Sequence, residues 1–219
     1  MSQQDPSTPP AELIDEQGNV NFGSFLGPIE RLNLERFDYT RLGRWPWTAS
    51  QAGASKLLKR WQFVGAMDEN MVLGAAVVNL HYLGSGFAYA FDRRTNKITE
   101  FNLKKPLAKN TQFSASPIDG ESSIGKGKSR ICARNTIVDG SRALSVDFGD
   151  ALRGEIVYRE PGSGVSTVSR QSMYGFHYTY KSAGLPVEGR VSVNGEEYVF
   201  SKNALALLDW TASTPPRQT

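Results

Sequence analysis

The sequence predicts an all-β protein built as an antiparallel barrel or sandwich. Apolar and aromatic residues alternate with polar or small ones over short segments, and this is the side-chain period of a β-strand. Turn signals such as Asn194-Gly195 separate the segments, whereas helical periodicity is rare. About ten strands at regular spacing, joined by hairpin turns, indicate this class of fold.

The composition suits one large β-domain or two small ones. The chain has 219 residues, of which 39% are hydrophobic and 11% aromatic, enough for a sizeable core. The net charge of +3 is smaller than a dedicated nucleic-acid-binding protein usually carries. A single cysteine, Cys132, excludes an internal disulfide and fits a reducing compartment. Because no signal peptide and no long apolar run are visible, we expect a cytoplasmic protein without a membrane span.

The first quarter of the chain is predicted to lie outside the barrel domain. Residues 1–10 are polar and rich in proline, which predicts a disordered tail. Residues 11–56 form an irregular segment that we expect to pack on the barrel, with one short helix capped by Ser50. The barrel domain is then expected over residues 57–212, followed by a tail at 213–219.

The predicted strands fall into two groups. The clearest lie at residues 61–67, 72–80, 82–91 and 97–103. Shorter ones are expected at 130–138, 143–148, 153–159, 173–180, 190–193, 196–200 and 204–210, while residues 165–169 either extend a loop or form a short strand. Asp119-Gly120, Asp139-Gly140 and Asn194-Gly195 are dipeptides that favour type I′ turns, in which both central residues need a positive φ.

The strand predicted at residues 82–91 has one crowded face and one nearly bare face. Leu83, Ser85, Phe87, Tyr89 and Phe91 alternate along it with four small residues, Gly84, Gly86, Ala88 and Ala90. A bare face is either approached closely by another part of the chain or left open, as in the lumen of a barrel. Alternation alone cannot decide which face lines the lumen, since a shift of one residue inverts every assignment.

Motifs for catalysis or for binding cofactors are sparse. Residues 120–129 contain two incomplete phosphate-loop patterns, but a strand rather than a helix is predicted after them, so we expect a flexible basic hairpin loop. His81 and His177 lie far apart in sequence and lack further metal ligands, so no metal or cofactor is expected. Asp209 follows an apolar strand beside Trp210, which would suit a general acid. The alternatives are two hydrogen-bonded structural histidines and a turn-capping aspartate.

Three segments resemble an uncharacterised domain family. They are VNLHYLGSGFAYAFD at 78–92, HYTYKSAGLPVEGR at 177–190 and LLDWTA at 207–212. The family is similar in type to the lipocalin-like double-barrel proteins that include carotenoid 1,2-hydratase (hydroxyneurosporene synthase). The resemblance implies a lipocalin-like or calycin-like antiparallel barrel with an apolar ligand cleft, together with the start of a second lobe. The chain is expected to cover roughly the first two-thirds of such a protein.

Three functional hypotheses follow from these observations. The first is a small apolar ligand held by the aromatic residues Trp61, Phe63, Phe87, Tyr89, Tyr178, Tyr180 and Trp210. The second is an isomerase or hydratase acting on an isoprenoid-like alkene, with Asp209, His81 or His177 as the catalytic candidate. The third is a structural domain without a cavity that packs on a second lobe or on another copy of the chain.

Overall fold

The computed structural model describes residues 8–43, 46–136, 140–160 and 164–216. The predicted tail residues 1–7 and 217–219 and the turn residue Asp139 lie outside the described residues. The strands are β1 (Gly23–Leu26), β2 (Lys59–Met67), β3 (Met71–Asn79), β4 (Leu83–Asp92), β5 (Lys97–Pro106), β6 (Thr111–Gln112), β7 (Gly120–Gly125), β8 (Arg130–Asn135), β9 (Ser141–Asp147), β10 (Leu152–Arg159), β11 (Val165–Arg170), β12 (Phe176–Val193), β13 (Glu196–Val199) and β14 (Leu205–Ser213).

These strands pair antiparallel in one curved sheet. The order along the sheet is β5-β4-β3-β2-β14-β12-β10-β9-β8-β7-β6, while β11 and β13 pair with β12, and β1 pairs with β11. The sheet curls until β6, β7 and β8 lie against β3 and β4. The result is a nearly closed barrel, so the predicted lipocalin-like all-β fold is confirmed.

The longest strand, β12, joins two parts of the sheet. Its first half pairs with β11 and β14, and its second half pairs with β10 and β13. The register shifts between Ala183 and Leu185, at Gly184, whose φ of 73° belongs to the left-handed region. The prediction of two separate strands at 173–180 and 190–193 was therefore wrong, because a glycine bulge bends the strand without ending it.

The turn predictions had different outcomes. Asn194 and Gly195 have φ values of 52° and 83° and join β12 to β13, as expected for a type I′ turn. At Asp119-Gly120 only the glycine has a positive φ, and it begins β7. The prediction of a flexible loop over residues 120–129 was thus wrong in its first half, because Gly120–Gly125 pairs with β8 in full register.

The N-terminal segment is part of the structure of the barrel wall. β1 extends the sheet beside β11, and Leu13, Ile14 and Ile29 are fully buried. The only described α-helix is α1 (Gln51–Ala54), where Ser50 Oγ accepts a hydrogen bond from the Gly53 amide, as the predicted cap requires. Four 3₁₀ turns complete the segment: Leu34–Arg36, Tyr39–Leu42, Pro46–Thr48 and Ser55–Leu57.

Candidate functional site

The small-residue face of β4 points into the barrel and is filled. A Cβ atom at Gly84 would lie 2.1 Å from Thr111 Oγ1, and one at Gly86 would lie 2.6 Å from Ile124 Cγ2. Ala88 and Ala90 are likewise buried. Of the two alternatives left by the sequence, close approach therefore holds here. These small residues let β6, β7 and β8 pack directly on the inner face of β4.

The aromatic row predicted to bind ligand lies on the outer face of the sheet. Phe87 contacts Trp61, Phe63 and Tyr89, with ring centroids 5.8, 6.1 and 6.4 Å apart. The Tyr89 ring lies over Gly74, where a Cβ would come within 2.5 Å of its Cζ. The rings therefore form an apolar layer over small residues such as Gly74, and each ring is only partly buried.

A groove of about 470 Å³ continues this outer face at its β14 end. Its apolar wall is formed by Met67, Ala183, Leu205, Ala206 and Leu207, and its polar rim includes Asp68, Glu69, Arg93 and Asn203. Leu207 and Phe63 both come within 3.6 Å of a Cβ built at Gly65. Groove and aromatic row are therefore neighbours across that glycine. A second groove, of about 1050 Å³, lies beside β10 and β13, and its lining mixes charged residues such as Glu155 and Arg190 with apolar ones such as Val157 and Val199.

The other predicted ligand residues, Tyr178, Tyr180 and Trp210, are buried inside the barrel. Tyr178 Oη accepts from the Ile29 amide at 3.3 Å, and Trp210 Nε1 donates to Ser114 Oγ at 2.9 Å. Burial raises the pKa of Tyr178 to about 12 despite its hydrogen bonds with Ser166 and the Ile29 amide. The predicted aromatic set is thus divided between the two faces of the sheet.

A buried polar layer beside these rings was missed by the sequence reasoning. Arg142 Nη2 lies 2.7 Å from Glu160 Oε2, and Arg142 Nη1 donates to Asn135 Oδ1 at 3.0 Å. Tyr180 donates to the other Glu160 oxygen, and Gln62 Nε2 lies 3.4 Å from Asn135 Oδ1. The alternation of side chains along the strands did contain a signal for this layer. Arg142 lies on the same face of its strand as the apolar residues Leu144 and Val146, and Gln62 lies on the same face as Val64 and Ala66.

This polar layer is not fully satisfied by the described residues. Gln62 Oε1, Asn135 Nδ2 and Tyr158 Oη are buried and have no hydrogen-bond partner among them. Burial alone would raise the pKa of Glu160, but hydrogen bonds from Ser182 and Tyr180 and the charge of Arg142 hold it below its ordinary value. The carboxylate form is therefore the one that these contacts stabilise.

The polar candidates from the sequence occupy three separate positions. His81 lies in the β3–β4 turn with a left-handed φ of 65°, and its imidazole is half-buried. His177 and Asp209 lie on the outer face, where burial lowers the pKa of His177 and Asp209 partly offsets that effect. Asp209 Oδ2 is 2.6 Å from Lys181 Nζ, and its Oδ1 accepts from Thr179.

The described part of the chain contains neither a cluster of metal-binding side chains nor a membrane-spanning helix. Within residues 8–43, 46–136, 140–160 and 164–216, no group of three histidine, cysteine or acidic side chains could hold a metal ion. None of the helices in these ranges is long and apolar enough to cross a membrane. Cys132 is buried, as expected for a small apolar side chain.

A family model described as "Domain of unknown function (DUF2804)" matches residues 4–219. No curated protein matches the sequence. Similar solved structures include an AttH protein from Nitrosomonas europaea (TM-score 0.48, 10% identity, 74% of this chain and 52% of that chain). Others are kievitone hydratase from Nectria haematococca (0.48, 12%, 70% and 47%) and CghA (0.48, 9%, 73% and 47%). The chain spans about half the length of these proteins.

Proposed function

This chain belongs to the DUF2804 family, a domain family of unknown function, and we propose that it binds a small, mostly apolar molecule on the outer face of its barrel. The observation that carries the proposal is the groove of about 470 Å³ between Met67, Leu205 and Leu207. Its volume lies in the range of small-molecule sites, and its apolar wall with a few polar groups at the rim is typical of them.

The aromatic row supplies the second support. Leu205 is 46% exposed although it is a large apolar residue, and the rings from Phe63 to Tyr89 extend the same surface. Flat aromatic rings bind apolar ligands at a low cost in side-chain entropy. Phe63, one of the residues predicted to bind ligand, lies beside this groove across Gly65, on the outer face of the sheet.

The catalytic alternative gains no support from the position of Asp209. Its carboxylate is paired with Lys181 Nζ at 2.6 Å and does not line the groove. The proposal therefore concerns binding, and Asp209 has no role in it.

Titration with Nile red, a neutral apolar dye whose fluorescence rises in apolar surroundings, tests the proposal. Leu205→Glu should weaken dye binding about tenfold or more, because a carboxylate would have to be desolvated in the groove. The matched control is Val199→Glu, since Val199 is an apolar residue that is 65% exposed and lines the other groove. We expect this control to bind the dye like the unmodified protein.

Two outcomes would contradict the proposal. One is equal dye binding by Leu205→Glu and the unmodified protein. The other is a dimer in analytical ultracentrifugation that Leu205→Glu converts to a monomer without changing dye binding. That result would assign the outer face to contact between copies of the chain.

A further inference from the structure

One end of the barrel interior carries buried polar atoms that have no hydrogen-bond partner among the described residues. They are Arg60 Nε, His81 Nε2 and Thr111 Oγ1. Arg60 pairs with Asn79 in register, and Asn79 pairs with Gly84, against which Thr111 packs. Arg60 and Thr111 therefore lie in one row across β2, β3, β4 and β6, on the opposite face of β2 from the apolar groove. His81 adjoins this row in the turn after Asn79.

Arg60 is a largely buried cation with no described counter-charge. None of the ion pairs among the described residues includes it. Its guanidinium group stacks over the Phe113 ring at 5.1 Å, and burial lowers its pKa. A buried charge without an opposite charge or full hydrogen bonding destabilises a fold, so a site of this kind favours an anion.

His81 is held in place beside this cation. Its amide donates to Asn79 Oδ1 at 2.8 Å, which fixes the left-handed turn. Burial, together with the positive charges of Arg60, Lys59 and Lys56, lowers the pKa of His81 to about 4. The ring is therefore neutral at neutral pH, and in one tautomer its Nε2 carries a proton that it can donate.

We propose that Arg60, His81 and Thr111 form a binding site for a small oxyanion at this end of the barrel. The guanidinium group offers a planar fork that matches a carboxylate or a phosphate, and the imidazole and the hydroxyl group add one donor each. Phe113 lies beside the site and contacts Trp210, with ring centroids 5.7 Å apart. An apolar wall next to a charged end suits an organic acid, and inorganic phosphate shares the same head-group chemistry.

The two histidines of the chain allow oxyanion binding to be measured, because only one of them lies at the proposed site. Histidine NMR signals should be followed over pH with acetate, benzoate or phosphate, each compared with chloride at equal ionic strength. A bound oxyanion stabilises the imidazolium, so it should raise the pKa of His81 from about 4 toward its ordinary value of 6.5 in a saturable manner. His177, on the outer face, should not respond. The anion that saturates at the lowest concentration distinguishes an organic acid from phosphate.

Variants at Arg60 connect this response to the site. Arg60→Gln should weaken binding about tenfold or more in calorimetry, because the charged fork is lost. Arg170→Gln is the matched control, since Arg170 also stacks over an aromatic ring, Phe22, but is exposed. If Arg60→Gln does not fold, Arg60→Lys retains the charge without the fork and should still weaken binding. The proposal is overturned if no oxyanion exceeds chloride, or if a folded Arg60 variant binds as the unmodified protein does.

Discussion

The two walls of the barrel interior are packed in different ways. On the wall formed by β3 and β4, glycine and alanine allow Ile124 and Thr111 to approach the backbone directly. On the wall formed by β8, β9 and β10, Arg142, Tyr158 and the carboxylate of Glu160 lie among buried apolar side chains such as Leu144 and Ile156. The first wall depends on shape, whereas the second depends also on hydrogen bonds and charge.

This difference indicates which part of the barrel interior offers polar groups that could bind a ligand. The polar layer and the Arg60 end together contain all the unpartnered buried side-chain atoms that the described residues show, and one of these atoms, Thr111 Oγ1, packs on the small-residue wall at Gly84. Small residues on a strand, taken alone, are a poor sign of a ligand cavity in this protein, because neighbouring side chains fill the space beside them. Buried polar residues in phase with apolar ones are the better sign.

The largest effect is expected from breaking the polar wall. Glu160→Gln should lower the free energy of unfolding by about 3 kcal/mol, because it leaves Arg142 as a buried charge without its partner. Glu155→Gln is the control, since its pair with Arg190 is exposed on both sides and should contribute about 0.5 kcal/mol or less. Urea denaturation of the three proteins gives both values. Equal losses for the two variants would contradict the structural importance of the polar wall.

An intermediate effect is expected from the apolar wall. Gly86→Ala should lower the free energy of unfolding by about 2 kcal/mol, because the new Cβ would lie 2.6 Å from Ile124 Cγ2 and 3.0 Å from the Ala76 carbonyl oxygen. Combining it with Ile124→Ala should cost less than the sum of the two single variants, since the second change makes room for the first. Ser85→Ala, on the outer face of the same strand, is the control. Additive losses in the double variant would show that the two residues do not share this space.

The contrast between the walls also explains what the sequence could predict. The alternation in β2 to β5 fixed the strands and paired Phe87 with Tyr89 on one face, because side-chain period is a local property. Which face turns inward depends on pairing between distant strands, so the same pattern predicted both Tyr89 and Tyr180 as ligand residues although they lie on opposite faces. Arg142 on β9 pairs in register with Tyr158 on β10, and its ion-pair partner Glu160 lies two residues beyond Tyr158. This partnership depends on the register between two strands, which no pattern within one strand specifies.

The smallest effect is expected in the dependence of stability on pH. The pKa of Glu160 would be raised by burial, but hydrogen bonds from Ser182 and Tyr180 and the charge of Arg142 bring it below the ordinary value of 4.5. A carboxyl group with a lowered pKa stabilises the fold above its unfolded-state pKa, and this stabilisation is lost as the pH falls through its folded-state pKa. The stability gap between the unmodified protein and Glu160→Gln should therefore be constant above about pH 5 and narrow at lower pH. Other carboxyl groups, such as Asp68, titrate in both proteins and cancel in this difference. Urea denaturation across that range measures the gap, and a gap that stays constant in acid would mean that Glu160 is not held as a carboxylate by the polar wall.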